Sequence, residues 1–167
     1  MKSEEKPRDV RKPHIVLVNS WRVVQAKGGT EKVFCDMANA LSKRGYEVTM
    51  LFCDPNQGQP GFHVENAVRC VNSYQEPRIR FLYQNPWKNF RCFRFDSNKR
   101  KILRATLESR RRAGLIGESL RLLPKADLFV SFQAESTWIL QECLKIKTPL
   151  ITMFHSCPSY YLALFRP

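Results

Sequence analysis

Apolar and polar positions along this chain follow two periods, and the switches between them mark its elements. Ile15-Val16-Leu17-Val18 is apolar throughout and rich in β-branched residues, as suits a strand buried on both faces of a parallel sheet. Over residues 30–44, Val33, Phe34, Met37, Ala38 and Leu41 recur at helical spacing, which predicts an amphipathic helix with Thr30 as N-cap and Gly45 just past its end. Residues 47–53 predict a second strand, and Val68, Cys70 and Val71 are the candidates for a weaker third. Residues 97–123 predict a helix with a break at Gly114 and Gly117, stopped by Pro124. Residues 127–132 then predict a fourth strand, 135–147 an amphipathic helix and 149–154 a last strand. This alternation predicts an α/β fold with a mostly parallel sheet. In such sheets ligands bind beyond the carboxyl ends of the strands, at the switch point in strand order.

Lys27-Gly28-Gly29-Thr30-Glu31 joins the first strand to the first helix. Two glycines there let backbone N–H groups approach a ligand with no Cβ in the way, and the helix N-terminus favours an anion. A phosphorylated or nucleotide-linked ligand is one reading; a plain tight turn is the other. Glu31 suits the positive end of the helix whichever holds. His155, at the carboxyl end of the last predicted strand, is placed by the same topology at the same edge.

Composition bounds the possibilities. A chain of 167 residues supports one well-buried core. No apolar run approaches the roughly 20 residues that span a bilayer. Residues 1–13 are mostly charged, lack the apolar centre of a secretion signal and read as a flexible arm ahead of one domain over residues 14–167. The six cysteines (35, 53, 70, 92, 143 and 157) form no C-x-x-C pair and suit reduced thiols in a cytoplasmic protein. With His14, His63 and His155 remote from one another in sequence, no metal site is expected.

The net charge of +13 is concentrated in residues 88–112, where ten basic residues, among them Arg110, Arg111 and Arg112, accompany only Asp96 and Glu108. Aromatic residues interleave with the basic ones over 78–95. Three readings stand: a solvated helix face with buried aromatics, contact with an anionic membrane, or an anionic saccharide or single-stranded nucleic acid. No recognised RNA or DNA motif is present, which makes nucleic acid the weakest partner.

The common nucleotide and hydrolase motifs are missing. There is no G-x-x-x-x-G-K-[ST], no G-x-G-x-x-G, no G-x-S-x-G and no D-x-D. What is present is a strand, Gly28-Gly29 followed by Glu31, a helix through Leu41, and Gly45, Glu47, Val48 and Thr49 entering a strand. Later come Asp127-Leu128-Phe129-Val130 and Pro149-Leu150-Ile151-Thr152-Met153-Phe154-His155. This pattern, over about residues 14–156, resembles the amino-terminal domain of family 4 retaining glycosyltransferases.

The resemblance implies a Rossmann-like three-layer domain, one half of a two-domain GT-B fold. It implies sugar transfer without a metal from a UDP- or GDP-linked nucleotide-sugar donor to a saccharide or lipid-linked acceptor, in cell-surface polysaccharide or glycolipid synthesis. By match, Gly28 and Gly29 approach the donor diphosphate and His155 lines the cleft near the reacting sugar. The location implied is cytoplasmic, peripheral to the inner face of the membrane where the acceptor is a lipid. Two departures stand out. Where family members carry a histidine after the fourth strand, this chain has Phe132 and Gln133, with Glu135 close behind. The donor-binding carboxy-terminal domain is also absent, so the chain alone is expected to be inactive. The rival reading is a non-enzymatic α/β module that binds anionic ligands or nucleic acid.

Overall fold

A computed structural model of the chain describes residues 11–75 and 97–154. Five parallel strands form one sheet: β1 (His14–Asn19), β2 (Glu47–Phe52), β3 (Arg69–Asn72), β4 (Leu128–Phe132) and β5 (Leu150–Met153), in the order β3-β2-β1-β4-β5. The central strand β1 is buried along its whole length, as a strand with neighbours on both sides and helices on both faces requires. Ile15 pairs with Val48 on one side and Leu128 on the other. Helix α1 (Gly29–Lys43) covers one face, where Phe34, Cys35 and Ala38 meet Ile15, Leu17 and Met50. On that face the rings of Phe34 and Phe132 pack edge to face, 4.8 Å apart. Helix α2 (Ser97–Leu122) covers the other face, where Ala113 and Ile116 meet Val16, Val18 and Phe129. The result is a three-layer, Rossmann-like α/β domain with its switch point between β1 and β4.

The elements follow the predicted order, with three differences. Helix α1 starts earlier than Thr30: Gly28 is its N-cap, with extended backbone, and the Gly28 carbonyl accepts the Lys32 N–H at 3.0 Å. Thr30 therefore lies inside the first turn and caps nothing. Helix α2 is continuous, with no break at Gly114 and Gly117. A Cβ at Gly117 would press on Leu144, so this glycine admits a neighbouring segment instead of ending a helix. Third, the helix expected over 135–147 is cut short. It is α3 (Ala134–Trp138), continued by a π-helical turn (Ile139–Cys143) that the Leu144 N–H closes onto the Ile139 carbonyl, and Lys145 then turns left-handed. Its apolar residues Ile139 and Leu140 are nonetheless buried where the periodicity placed them.

Gly45 ends α1 as expected. At φ +89° it donates to the Ser42 carbonyl while Tyr46 donates to the Leu41 carbonyl, the paired closure of a Schellman cap. The chain thereby reverses directly into β2. Residues 1–10 lie outside the described part, but Arg11 and Pro13 are tied to the domain: Arg11 pairs with Asp127 at 2.6 Å and the Pro13 carbonyl accepts the Glu47 N–H. No described helix is long and apolar enough to cross a membrane. Cys35, Cys53, Cys70 and Cys143 are free thiols, while Cys92 and Cys157 lie outside the described residues.

Candidate functional site

Every connection at the carboxyl edge of the sheet starts where a strand ends, and residues 20–28 form the one that matters most. This loop leaves β1 beside the switch point and ends at Gly28-Gly29. Buried Asp54, just after β2, holds its near end: one carboxylate oxygen accepts the N–H groups of both Val23 and Val24 at 2.8 Å. Residues 58–61 brace its middle, with the Gly61 N–H on the Val23 carbonyl. A Cβ on Gly61 would collide with the backbone of Ala26, so this close crossing requires glycine.

Gly28 and Gly29 are both exposed. The N–H groups of Gly29, Thr30 and Glu31, in the first turn of α1, have no acceptor within the helix. A Cβ on Gly29 would meet nothing. A Cβ on Gly28 would strike the carboxylate of Glu31, which folds back over the N-cap from the third helical position. Asn19, alternating with Ile15 and Leu17 toward the α1 face, is fully buried. Its Oδ1 accepts the Trp21 N–H at 3.1 Å, but its Nδ2 has no partner. A buried amide donor left open, at the end of the strand whose loop leads into that helix, is costly unless something accepts from it.

On the opposite face, the same edge opens into a cleft of about 420 Å³. Trp21 and Arg22 reach it from beyond β1, Cys53 and Pro55 from beyond β2, Tyr74 from beyond β3, and Glu108 and Arg112 from α2. Trp21 remains 48% exposed. The Arg112 guanidinium lies over its ring, 5.0 Å from the centroid, and that of Arg111 lies 5.3 Å from the centroid of Tyr74 while donating to its hydroxyl at 3.2 Å. Burial pushes the Cys53 thiol up to about 12, with nearby Arg112 opposing, so it stays protonated and is no nucleophile.

Glu135 fixes this arrangement. Arg112 Nη1 donates to both of its oxygens at 3.0 and 3.1 Å, Ser109 Oγ to one at 2.6 Å, and Ser20 Oγ to the other at 3.2 Å. Ser136 Oγ accepts the Ser20 N–H and donates to Ser20 Oγ. Loop 20–28, α2 and α3 are thereby joined above the switch point. The sharp entry into α3 depends on Gln133, held at φ 80°, ψ 154°, a region that costs a non-glycine residue about 1–3 kcal/mol.

The residues expected at the site divide as follows. Gly28 and Gly29 lie at the carboxyl edge, but on the α1 face and outside the cleft. His155 lies outside the described residues. Phe132 is fully buried against Phe34 and has no access to a ligand. Glu135, a candidate to replace a sugar-binding histidine, already takes hydrogen bonds from three side chains. Of the basic stretch 88–112, residues 88–96 lie outside the described residues and the rest runs along α2. Of its described end, Arg111 and Arg112 do not form a solvated face: both turn inward to aromatic rings and carboxylates. Trp21, Tyr74 and Glu108 were absent from the sequence-based site. An aromatic residue two positions beyond the central strand was the available signal for Trp21.

No family model and no curated protein matches this sequence. Among solved structures, the chain is similar to sucrose-phosphate synthase from Thermosynechococcus elongatus, with a TM-score of 0.58 at 13% identity over 93% of this chain and 36% of that one. It is also similar to TcCGT1, solved in complex with UDP, with a TM-score of 0.52 at 12% identity over 92% of this chain and 30% of that one. The chain thus spans about a third of the length of each. At such identities the likeness is one of fold: this Rossmann-like domain is built as part of each of these two larger proteins is built.

Proposed function

We propose that the chain is the amino-terminal, acceptor-side domain of a metal-independent retaining glycosyltransferase of the family 4 type. Its donor is a UDP- or GDP-linked sugar and its acceptor a saccharide or a lipid-linked saccharide, in cell-surface polysaccharide or glycolipid synthesis. The observation that carries this reading is the opening of α1 by Gly28-Gly29 at the carboxyl end of β1, with its first-turn N–H groups and the Asn19 amide open.

As the bond from the anomeric carbon to the donor phosphate breaks, negative charge grows on the leaving diphosphate. Backbone donors at a helix N-terminus stabilise that charge without reorganising. Gly28 and Gly29 approach the diphosphate in this reading, and His155 acts near the reacting sugar. A second domain completes the nucleotide site, so the 167-residue chain binds nucleotide weakly and turns over nothing alone. A lipid-linked acceptor places the enzyme at the inner face of the membrane, where the basic residues over 88–110 meet anionic headgroups.

The test is to incubate the purified chain with UDP- and GDP-sugars and with saccharide and lipid acceptors. Backbone amide signals of Gly28 and Gly29 are expected to shift on adding UDP or GDP, with no sugar transferred. Glycine signals that ignore both nucleotides would remove the reading; transfer by the chain alone would overturn its two-domain form. Salt-sensitive co-sedimentation with anionic but not neutral vesicles checks the membrane contact.

A further inference from the structure

The two faces of the carboxyl edge carry different chemistry: exposed glycines at a helix N-terminus on the α1 face, and a cleft lined by aromatic and charged side chains on the α2 face. We infer that it is a subsite for an uncharged pyranose ring, with the indole of Trp21 as the stacking platform. This deepens the transferase reading and rests on it in taking that ring to belong to the acceptor.

The platform is rigid. The Arg112 guanidinium covers one face of the Trp21 ring, and Glu135 holds Arg112 from behind through both carboxylate oxygens. Trp21 keeps nearly half its surface open at the rim of the cleft. An exposed, pinned aromatic ring offers apolar area at little cost in side-chain entropy, and the C–H face of a pyranose matches it in shape and polarity. Around it stand groups that hydroxyls need: Glu108 to accept, Arg22 to donate, and Tyr74 as a second ring.

Charge then selects among ligands. The whole chain carries +13, but the described residues that line this cleft share little of the excess. Of its described lining, Arg112 is paired by Glu108 in the wall and by Glu135 directly behind it, and Arg22 stands at the exposed rim. A phosphate or uronate would meet Glu108 and gain little from Arg112, already paired, which leaves Arg22 alone to attract it. A neutral ring pays no such penalty.

The experiment uses the full chain labelled with 5-fluorotryptophan, the Trp21 resonance being identified by its loss in Trp21→Phe. Methyl glycosides of neutral hexoses and N-acetylhexosamines are titrated in, with inorganic phosphate and a glucuronide in parallel. At least one neutral glycoside is expected to shift the Trp21 resonance saturably, and at lower concentration than either anion. Trp21→Leu is expected to weaken that binding about tenfold or more, and Trp21→Tyr to retain most of it, with unfolding midpoints unchanged. A Trp21 signal indifferent to every neutral glycoside, a stronger response to an anion, or undiminished binding by Trp21→Leu would each overturn the proposal.

The Gly28 and Gly29 amides report separately on added UDP. If they respond while Trp21 stays silent, the acceptor subsite fails and the transferase reading stands. If Trp21 responds and the glycines do not, a sugar site remains without the transferase.

Discussion

At the amino edge of the sheet, His14 is fully buried with Nε2 2.9 Å from the Thr49 hydroxyl, and Asp127 takes the His14 backbone N–H at 2.8 Å and Arg11 at 2.6 Å. Five residues along the same strand, at the carboxyl edge, Asn19 is equally buried but leaves its amide nitrogen unpaired. Nearby, Gln133 holds a strained backbone and Trp21 stands open in a cleft. One strand therefore ends in completed hydrogen bonds at one edge and in open donors at the other. A fold spends unsatisfied groups and strain where a ligand can complete them, and closes the opposite edge for stability.

Substitutions can break that contrast, and the largest effect belongs to the closed edge. His14→Ala, which removes a buried ring and its bond to Thr49, is expected to cost about 3 kcal/mol in urea unfolding while leaving glycoside and nucleotide binding unchanged. Altered binding would mean that the amino edge is not purely structural. At the open edge, Glu135→Ala strips the nearer of two carboxylate partners from Arg112, whose side chain is only 21% exposed, and leaves it Glu108 at 3.7 Å. We expect about 2 kcal/mol of lost stability and, because Trp21 loses its backing, weaker glycoside binding. A double-mutant cycle with Arg112→Leu isolates the pair; additivity would show that the pair carries no coupling.

Acid unfolding compares the edges through charge. The His14 backbone N–H and then Arg11 hold the Asp127 carboxyl below its ordinary value of 3.8. The unfolded chain therefore binds this proton more readily than the folded one. The stabilisation is complete well above pH 3.8 and is lost as pH falls from there through the folded value. Asp127→Asn should flatten this acid limb; an unchanged limb would place acid sensitivity elsewhere.

The smallest effect on stability, and the sharpest on function, belongs to Gly29→Ala. The added methyl meets open space at the first helical position, so stability should move by no more than about 0.5 kcal/mol. Nucleotide binding should fall, because the methyl stands where a ligand nears the N–H groups. Full binding by Gly29→Ala would reduce the glycine pair to a turn.

Much of this was legible in the chain itself. The strands and the apolar face of α1 follow from local periodicity, and Gly45 announced its own cap. Helix starts were harder: Thr30 is the better N-cap by composition, yet Gly28 takes the position because the tightly braced 20–28 loop delivers the chain into the helix at that point. The π-helical turn was hidden because its apolar residues are spaced as in any helix. Least legible was the cleft. Arg112 reads as one member of a basic run, and only the fold brings it to Glu135 and Trp21. Local patterns report on faces and turns; they carry no record of pairings between distant segments.

The Glu135 brace has a consequence in time. It joins Ser20 to a residue 115 positions later in the chain, so it cannot form until the crossover through α2 has closed and β4 has docked on β1. Closing so long a loop is paid in entropy before the brace returns anything. Removing Glu135 should therefore leave the refolding rate almost untouched and appear as faster unfolding. The residue that holds the cleft in shape acts, kinetically, as a latch set last.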